Sequence, residues 1–327
     1  MSGLSTSNGP FSLTSGEHSG GSASALQPGA SQSDILIWTY NALQIFGLIT
    51  VAMVLSTAAL SPGVRRSTIW YIFMSGWIVW CISYLLLVGH QTGPPPAHAF
   101  CTVQAALIYA GPPSNACATL GILLRLYLAV NATLKSRTKP LRWKVMVLNA
   151  GSPVTWVMVF TGSLVYGIVN PDLVHRDPSG MYCNISSIVP SGVAASLVAL
   201  FSVIMIIFEV ITFTLLYQNW AAFRRLQRTA SGDATSVAMV VRISIFSVLP
   251  MLALALSIRS AFSPSSNTGC NITIAILPGA AGLIFGTQRD ILTKWLFCRT
   301  KSKKYDDNPN RSNLTVMVSK QMDTSAV

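Results

Sequence analysis

Charged residues are scarce in this chain. Only 10 % of its 327 residues are Asp, Glu, Lys or Arg, whereas soluble domains carry about 25 %. The apolar residues, 51 % of the total, fall into long blocks separated by short polar loops. The blocks are apolar all round, without the stripe that marks a helix of a soluble core. The composition excludes an ordinary soluble protein and predicts an all-α membrane protein built as one helical bundle.

The amino-terminal segment lacks what a cleavable signal peptide needs. Residues 1–33 contain no Lys or Arg and no apolar stretch of about 7 to 15 residues. They are rich in Ser and Gly, a composition typical of disordered tails. We therefore expect a disordered tail over 1–33, a bundle over 34–298 whose first span acts as an uncleaved insertion signal, and a polar, disordered tail over 299–327.

Seven blocks approach the roughly 20 residues needed to cross the hydrocarbon of a bilayer. The last of them is short and contains Pro278. The predicted fold is a seven-transmembrane helix bundle with spans at Ile35–Leu60, Thr68–Gly89, Ala99–Val130, Val145–Val169, Ile188–Tyr217, Val237–Ile258 and Asn271–Gln288.

The basic residues predict the orientation of the bundle. Of 22 Lys and Arg residues, ten lie in the first, third and fifth loops and eight follow the seventh span. Short cytoplasmic loops retain positive charge, so we expect the amino terminus outside and the carboxyl terminus in the cytoplasm. Because most of the basic residues behind the net charge of +12 lie on one side of the apolar blocks, the charge indicates membrane orientation and lipid headgroup contacts rather than nucleic-acid binding.

Catalytic and metal-binding patterns are missing. The four histidines fall in the tail, at span ends or in outer loops, and are His18, His90, His98 and His175. A metal-dependent membrane hydrolase needs clustered ligands inside the spans, and a retinal protein needs a lysine in the seventh span, which has none. We expect no enzyme, no cofactor and no metal.

Cysteines and glycosylation sequons fit the predicted orientation. Cys101 opens the third span and Cys183 lies in the second outer loop, where an oxidising environment allows a disulfide. Cys270 is the competing partner or a free thiol, since sequence alone does not fix connectivity. Asn184 and Asn271 begin the two Asn-x-Ser/Thr sequons that face outward; Asn271 lies very close to the membrane.

A short helix is expected after the seventh span. In the segment Arg289–Cys298, the residues Ile291, Leu292, Trp295 and Leu296 share one helical face, as in helices that lie in the membrane interface. Cys298 is a candidate palmitoylation site because it follows this amphipathic segment; an unmodified thiol is the alternative.

The chain resembles the G-protein-coupled receptors, loosely the rhodopsin-like class. Seven spans, an outer amino terminus and the two outer cysteines match that layout over about Ile35–Cys298. Leu124–Val130 is similar to the family's Asp-Arg-Tyr-Leu-Ala-Val segment, with Tyr127 aligned and Arg125 at the family's acidic position. The sixth span carries Pro250 in a proline segment similar to the family's, without its tryptophan.

The seventh span departs from the family pattern but keeps a proline, Pro278, followed by an aromatic residue. Its Phe-Gly-Thr-Gln-Arg-Asp run looks most like divergent serpentine receptors predicted from fungal genomes. The resemblance implies a plasma-membrane receptor that transmits the signal of an unknown extracellular ligand to a heterotrimeric G protein.

The third span contains a candidate ligand site. Pro112 and Pro113 remove two amide donors and are expected to break the helix, and irregular backbone inside a membrane is tolerated where it lines a cavity or is buried in protein. We hypothesise that Tyr109, Ser114 and Asn115 line a pocket there. The alternative is a structural kink whose side chains bond to neighbouring helices.

Polar residues near the predicted cytoplasmic side are candidates for coupling. Glu209 is the acidic residue well inside a span, where a carboxylate is costly; it either pairs with Arg125 or Arg242 or is protonated. Arg125 either contacts a partner or extends to the headgroups. The competing function is a small-molecule transporter that binds substrate at the broken third helix, although seven spans and the lack of an internal repeat disfavour it.

Overall fold

The computed structural model describes residues 28–61, 66–134, 142–219 and 267–297. Within them the chain is mostly helical and forms α1 (Pro28–Leu60), α2 (Thr68–Leu85), α3 (His98–Leu134), α4 (Arg142–Val169), α5 (Ile188–Gln218), α6 (Asn267–Gly286) and α7 (Arg289–Phe297). Five of these helices, α1 to α5, are long and apolar enough to cross a membrane, and the apolar part of α6 is shorter. The prediction of a mostly helical chain with several apolar helices of membrane-crossing length is therefore confirmed. The sixth predicted span, with Arg242 and Pro250, lies outside the described residues.

Two helix ends differ from the predicted spans. Helix α1 begins at Pro28, inside the segment expected to be a disordered tail, and proline suits the first turn of a helix because its fixed φ is already helical. Helix α2 ends at Leu85, before the predicted Gly89. Gly89 has a φ of +90°, a conformation that glycine adopts without steric cost, so the chain turns there.

The third helix is not broken, so the expected interruption at Pro112 and Pro113 is wrong. Helix α3 runs unbroken through both prolines. A proline φ fits a helix, and packing against neighbouring helices compensates for the missing amides. This helix is the most enclosed of the five long helices: 67 % of its apolar window is buried, against 22 % for α4 and for α5. Helix α3 is thus central, and α4 and α5 lie at the periphery.

Small residues allow α1 and α6 to pack closely. A Cβ added at Gly47 would lie 2.7 Å from the Cβ of Pro278, and one at Gly282 would lie 2.5 Å from Thr50 Oγ1. Glycine contacts of this kind let two membrane helices approach along their backbones. Pro278 therefore packs against α1, and α6 is continuous through this proline.

The short helix after α6 is present as predicted and is docked on the ends of α1 and α2. Asp290 of α7 forms an ion pair with Arg66, and Trp295 Nε1 donates to Thr57 Oγ1 at 2.9 Å. Ile291 is fully buried. We call this side of the bundle the α7 end. Cys298 lies outside the described residues, so palmitoylation stays a prediction.

Candidate functional site

A two-stranded hairpin covers the other side of the bundle, which we call the hairpin end. Strands β1 (Val174–Arg176) and β2 (Cys183–Ile185) pair antiparallel with His175 opposite Asn184. Asp177 stabilises the connecting turn, since its carboxylate accepts from the backbone amide of Ser179 at 2.9 Å and from the hydroxyl of the same residue. The turn also contains Gly180 with a φ of +72°. The hairpin is a defined element that can close one end of the bundle.

The hairpin is attached to α3 by a disulfide and by hydrogen bonds. Cys101 and Cys183 are bonded, as predicted, and both are buried. Gln104 Oε1 accepts from the backbone N of Cys183 at 3.2 Å, while its Nε2 donates to the Ser83 carbonyl of α2 at 3.0 Å. Tyr109 accepts from the backbone N of Ile185 at 3.3 Å and donates to its carbonyl at 3.2 Å. The hairpin is therefore fixed in place over α3.

Further hydrogen bonds tie the hairpin to α1 and α6. Asn41 of α1 and Gln91 exchange two hydrogen bonds, at 2.7 and 3.0 Å, and Gln91 also donates to the Met181 carbonyl at 3.4 Å. On the α6 side, Tyr182 donates to Asn271 Oδ1 at 3.1 Å. The hairpin thus reaches α1, α3 and α6.

An aromatic column lies beneath the hairpin. Helix α2 turns five rings inward at spacings of three and four residues, which places them on one helical face; they are Trp70, Phe73, Trp77, Trp80 and Tyr84. Tyr84 contacts Tyr182 of the hairpin, with ring centroids 5.7 Å apart, and Tyr40 of α1 at 5.9 Å. The ring contacts therefore extend from the hairpin into the middle of the bundle.

The interior around this column is polar without being charged. The Nε1 of Trp80 and the Nδ2 of Asn115 are buried and lack a hydrogen-bond partner among the described residues, and the buried amide of Gln44 lies beside the Tyr40 hydroxyl. No Asp, Glu, Lys or Arg whose side chain the structure describes is fully buried. Buried polar groups are costly unless they are hydrogen-bonded. The buried donors and acceptors around the column are therefore uncharged side-chain groups.

The three predicted ligand residues point in different directions. Tyr109 anchors the hairpin. Ser114 and Ser152 of α4 lie with their hydroxyls 3.0 Å apart, and each also donates to the other's carbonyl. Asn115 faces α2, where its Oδ1 occupies the space that a Cβ on Gly76 would need. The structure does not bring the three side chains together. The bonds of Ser114 match the structural alternative, and Asn115 is the one of the three that adjoins the aromatic column.

The predicted coupling residues lie toward the α7 end of α3 and α5. Arg125 is exposed and Leu126 is buried. Tyr127 packs edge-on against Phe208 of α5, with ring centroids 5.5 Å apart. Glu209 follows Phe208 and is half-buried. The contact between Tyr127 and Phe208 joins α3 to α5 at this level.

The two predicted glycosylation sites have different surroundings. Asn271 is 5 % exposed, and its Nδ2, the atom that would carry a glycan, donates to Ser179 Oγ at 3.4 Å. Asn184 is half-buried and donates to Asp177 Oδ1 at 3.2 Å. In the folded hairpin the side-chain nitrogen of Asn271 is buried, whereas that of Asn184 is held by one hydrogen bond, and glycosylation of both stays a prediction.

Sequence reasoning missed the residues of the aromatic column and the buried amide of Gln44. The sequence does show that the rings of α2 recur at helical spacing and that Gln44 is an amide within an apolar block. In a helix that is apolar all round, however, nothing in the sequence marks which face is turned inward.

The comparisons with known proteins assign no family. No protein-family model matches the chain, and no curated protein matches it.

Proposed function

We propose that this chain is a seven-span membrane receptor that transmits the binding of an extracellular ligand to a cytoplasmic G protein. In this proposal the hairpin end faces outward and the α7 end faces the cytoplasm, as the distribution of basic residues indicates. The sixth predicted span completes the bundle.

The observation that carries the proposal is the course of α3. One continuous helix of 37 residues extends for about 55 Å at 1.5 Å per residue, more than the roughly 30 Å of bilayer hydrocarbon. Its first half is bonded to the hairpin through Cys101, Gln104 and Tyr109. Its last turns carry the exposed Arg125 and the contact of Tyr127 with α5. A ligand that shifts the hairpin or the column beneath it would therefore displace a helix that ends at the G-protein side.

The surroundings of the aromatic column indicate the class of ligand. Because no charged side chain among the described residues is fully buried there, an ion would lose its hydration without gaining a counter-charge. The buried indole nitrogen of Trp80 and the amide nitrogen of Asn115 would donate to an uncharged polar group. We infer an uncharged ligand with at least one hydrogen-bonding group.

The test is a ligand-library screen in cells that express the full chain together with a panel of Gα activation sensors. The proposal expects at least one uncharged compound to activate one Gα class. Gradient-driven uptake of a compound, with no activation of any Gα, would favour the transporter instead. The unbroken α3 removes the helix interruption on which the transporter hypothesis was based.

Arg125 provides the variant that tests coupling. Replacing Arg125 with Ala should reduce ligand-driven Gα activation by about tenfold or more, the loss expected for one charged hydrogen bond to a partner. Lys294→Ala is the matched control, because it removes one exposed positive charge at the same end of the molecule. Equal activity of the two variants would contradict a contact between Arg125 and the G protein.

A further inference from the structure

A groove on the membrane-facing side of the bundle separates α4 from α5. Its volume is about 510 Å³, and its walls are mainly aliphatic, with Val154, Met158 and Val159 on α4 and Val189, Val193 and Leu197 on α5. Both helices are peripheral, since only 22 % of each apolar window is buried. A groove of this size is within the range of small-molecule sites, about 300 to 1,000 Å³, and it opens toward lipid.

A glycine in the α4 wall widens the groove. Gly162 lies in the middle of the α4 wall, and a Cβ added there would have no neighbour within 4 Å. The valines that form much of the remaining wall are stiff, since β-branched side chains have one strongly preferred rotamer in a helix. A stiff, open wall suits a rigid, flat molecule better than a flexible chain, which would lose conformational entropy on binding.

The groove matches one membrane leaflet in length. From Val154 to Tyr166, α4 rises about 18 Å, close to half of the roughly 30 Å of bilayer hydrocarbon. Tyr166 lies one turn before the end of α4 at Val169, which places its hydroxyl at the depth where tyrosines meet the headgroups. One end of the groove is therefore interfacial and the other end is near the membrane centre.

The polar groups of the groove suit a small uncharged headgroup. No Lys, Arg, Asp or Glu lines it, so a phosphate would find no counter-charge there. At the interfacial end, the hydroxyl of Tyr166, which lines the groove, lies 2.8 Å from Oγ of Ser187, and that Oγ also accepts from the Val189 amide at 3.3 Å. The Tyr166 hydroxyl is therefore the group that can bond to a ligand hydroxyl. Deeper in the groove, Thr155 already donates to the Gly151 carbonyl of its own helix at 2.8 Å.

From these features we propose that the groove between α4 and α5 is a sterol-binding site. The flat ring system lies against Gly162 between the valines, and the single hydroxyl bonds to Tyr166 at the hairpin end. The site depends on neither the signalling activity nor the ligand of the aromatic column.

The test uses the full chain reconstituted in phosphatidylcholine vesicles with a photoreactive, alkyne-tagged cholesterol analogue. We expect labelled peptides from residues 154–166 or 189–197, and competition by unlabelled cholesterol. Gly162→Leu fills the groove and should lower labelling by about tenfold, because several buried methylene contacts are lost. Val165→Leu is the control, since Val165 is 58 % exposed on the same helix and does not line the groove.

A second variant separates recognition of the hydroxyl from filling of the groove. Tyr166→Phe keeps the shape of the wall but removes one hydroxyl, so cholesterol should lose its competitive advantage over cholestane, which has no hydroxyl. Thermal unfolding of each variant shows whether it folds. Three results would overturn the proposal: labelling of Gly162→Leu equal to that of Val165→Leu, equal labelling of the groove by a photoreactive phosphatidylcholine, or a cross-link through these peptides to a second copy of the chain.

Discussion

Replacing Tyr109 with Phe tests whether this residue anchors the hairpin or contacts a ligand. The change removes one hydroxyl that bonds to both backbone groups of Ile185, at 3.2 and 3.3 Å. Ile185 is 2 % exposed, so water cannot easily replace the lost partner. An unsatisfied buried group costs about 1 to 3 kcal/mol. The carbonyl of Ile185 keeps a second donor, the backbone N of Ser187 at 2.7 Å. The amide is therefore the group at risk, and we expect a loss of about 1 to 3 kcal/mol.

The assay is thermal unfolding of the purified full chain in detergent, combined with limited proteolysis of the hairpin. Tyr217→Phe is the matched control, because Tyr217 is 78 % exposed on α5. The anchor role predicts a lower unfolding midpoint and faster cleavage near residues 177–182 for Tyr109→Phe only. Identical behaviour of the two variants would refute the anchor role and leave Tyr109 as a ligand contact.

Three further predictions concern packing and modification. Gly282→Ala should destabilise the fold by about 1 to 3 kcal/mol through overpacking against α1, whereas Gly162→Ala, with open space around its Cβ, should be neutral or stabilising in the same unfolding assay. Ser114→Ala and Ser152→Ala should each destabilise the protein, but the double variant should lose less than the sum, because the two hydroxyls are in contact at 3.0 Å; additive losses would show that the two are not coupled. Treatment with a glycosidase should cause no gel shift that depends on Asn271, since that side chain is buried, and a shift that is lost in Asn271→Gln would contradict the described hairpin.

The sequence predicted the described helices because a membrane span must satisfy its backbone internally over about 20 apolar residues. The blocks matched α1 to α5 to within a few residues at most ends, and the pair Cys101 and Cys183 was identified from where the spans placed the two cysteines. The helix after α6 was predicted from its apolar face, whose Ile291 is indeed buried.

The contacts between helices could not be predicted in the same way. Pro112 and Pro113 were interpreted as a break because a proline removes an amide bond, yet the enclosed position of α3 allows the helix to continue. Ser114 was assigned to a pocket because no pattern in the sequence revealed that Ser152 lies opposite it. The hydrogen bonds of Tyr109 depend on a hairpin whose position is set by long-range contacts.

The central claim, that α3 connects a ligand site to a G-protein site, is tested most directly by nucleotide exchange with purified components. The full chain is reconstituted in lipid nanodiscs with one heterotrimeric G protein of each class and with an uncharged compound identified in the cell screen. The account predicts that the compound accelerates exchange on at least one Gα, and that reducing the disulfide between Cys101 and Cys183 abolishes the acceleration. Basal exchange on every Gα, with and without the compound, would contradict it.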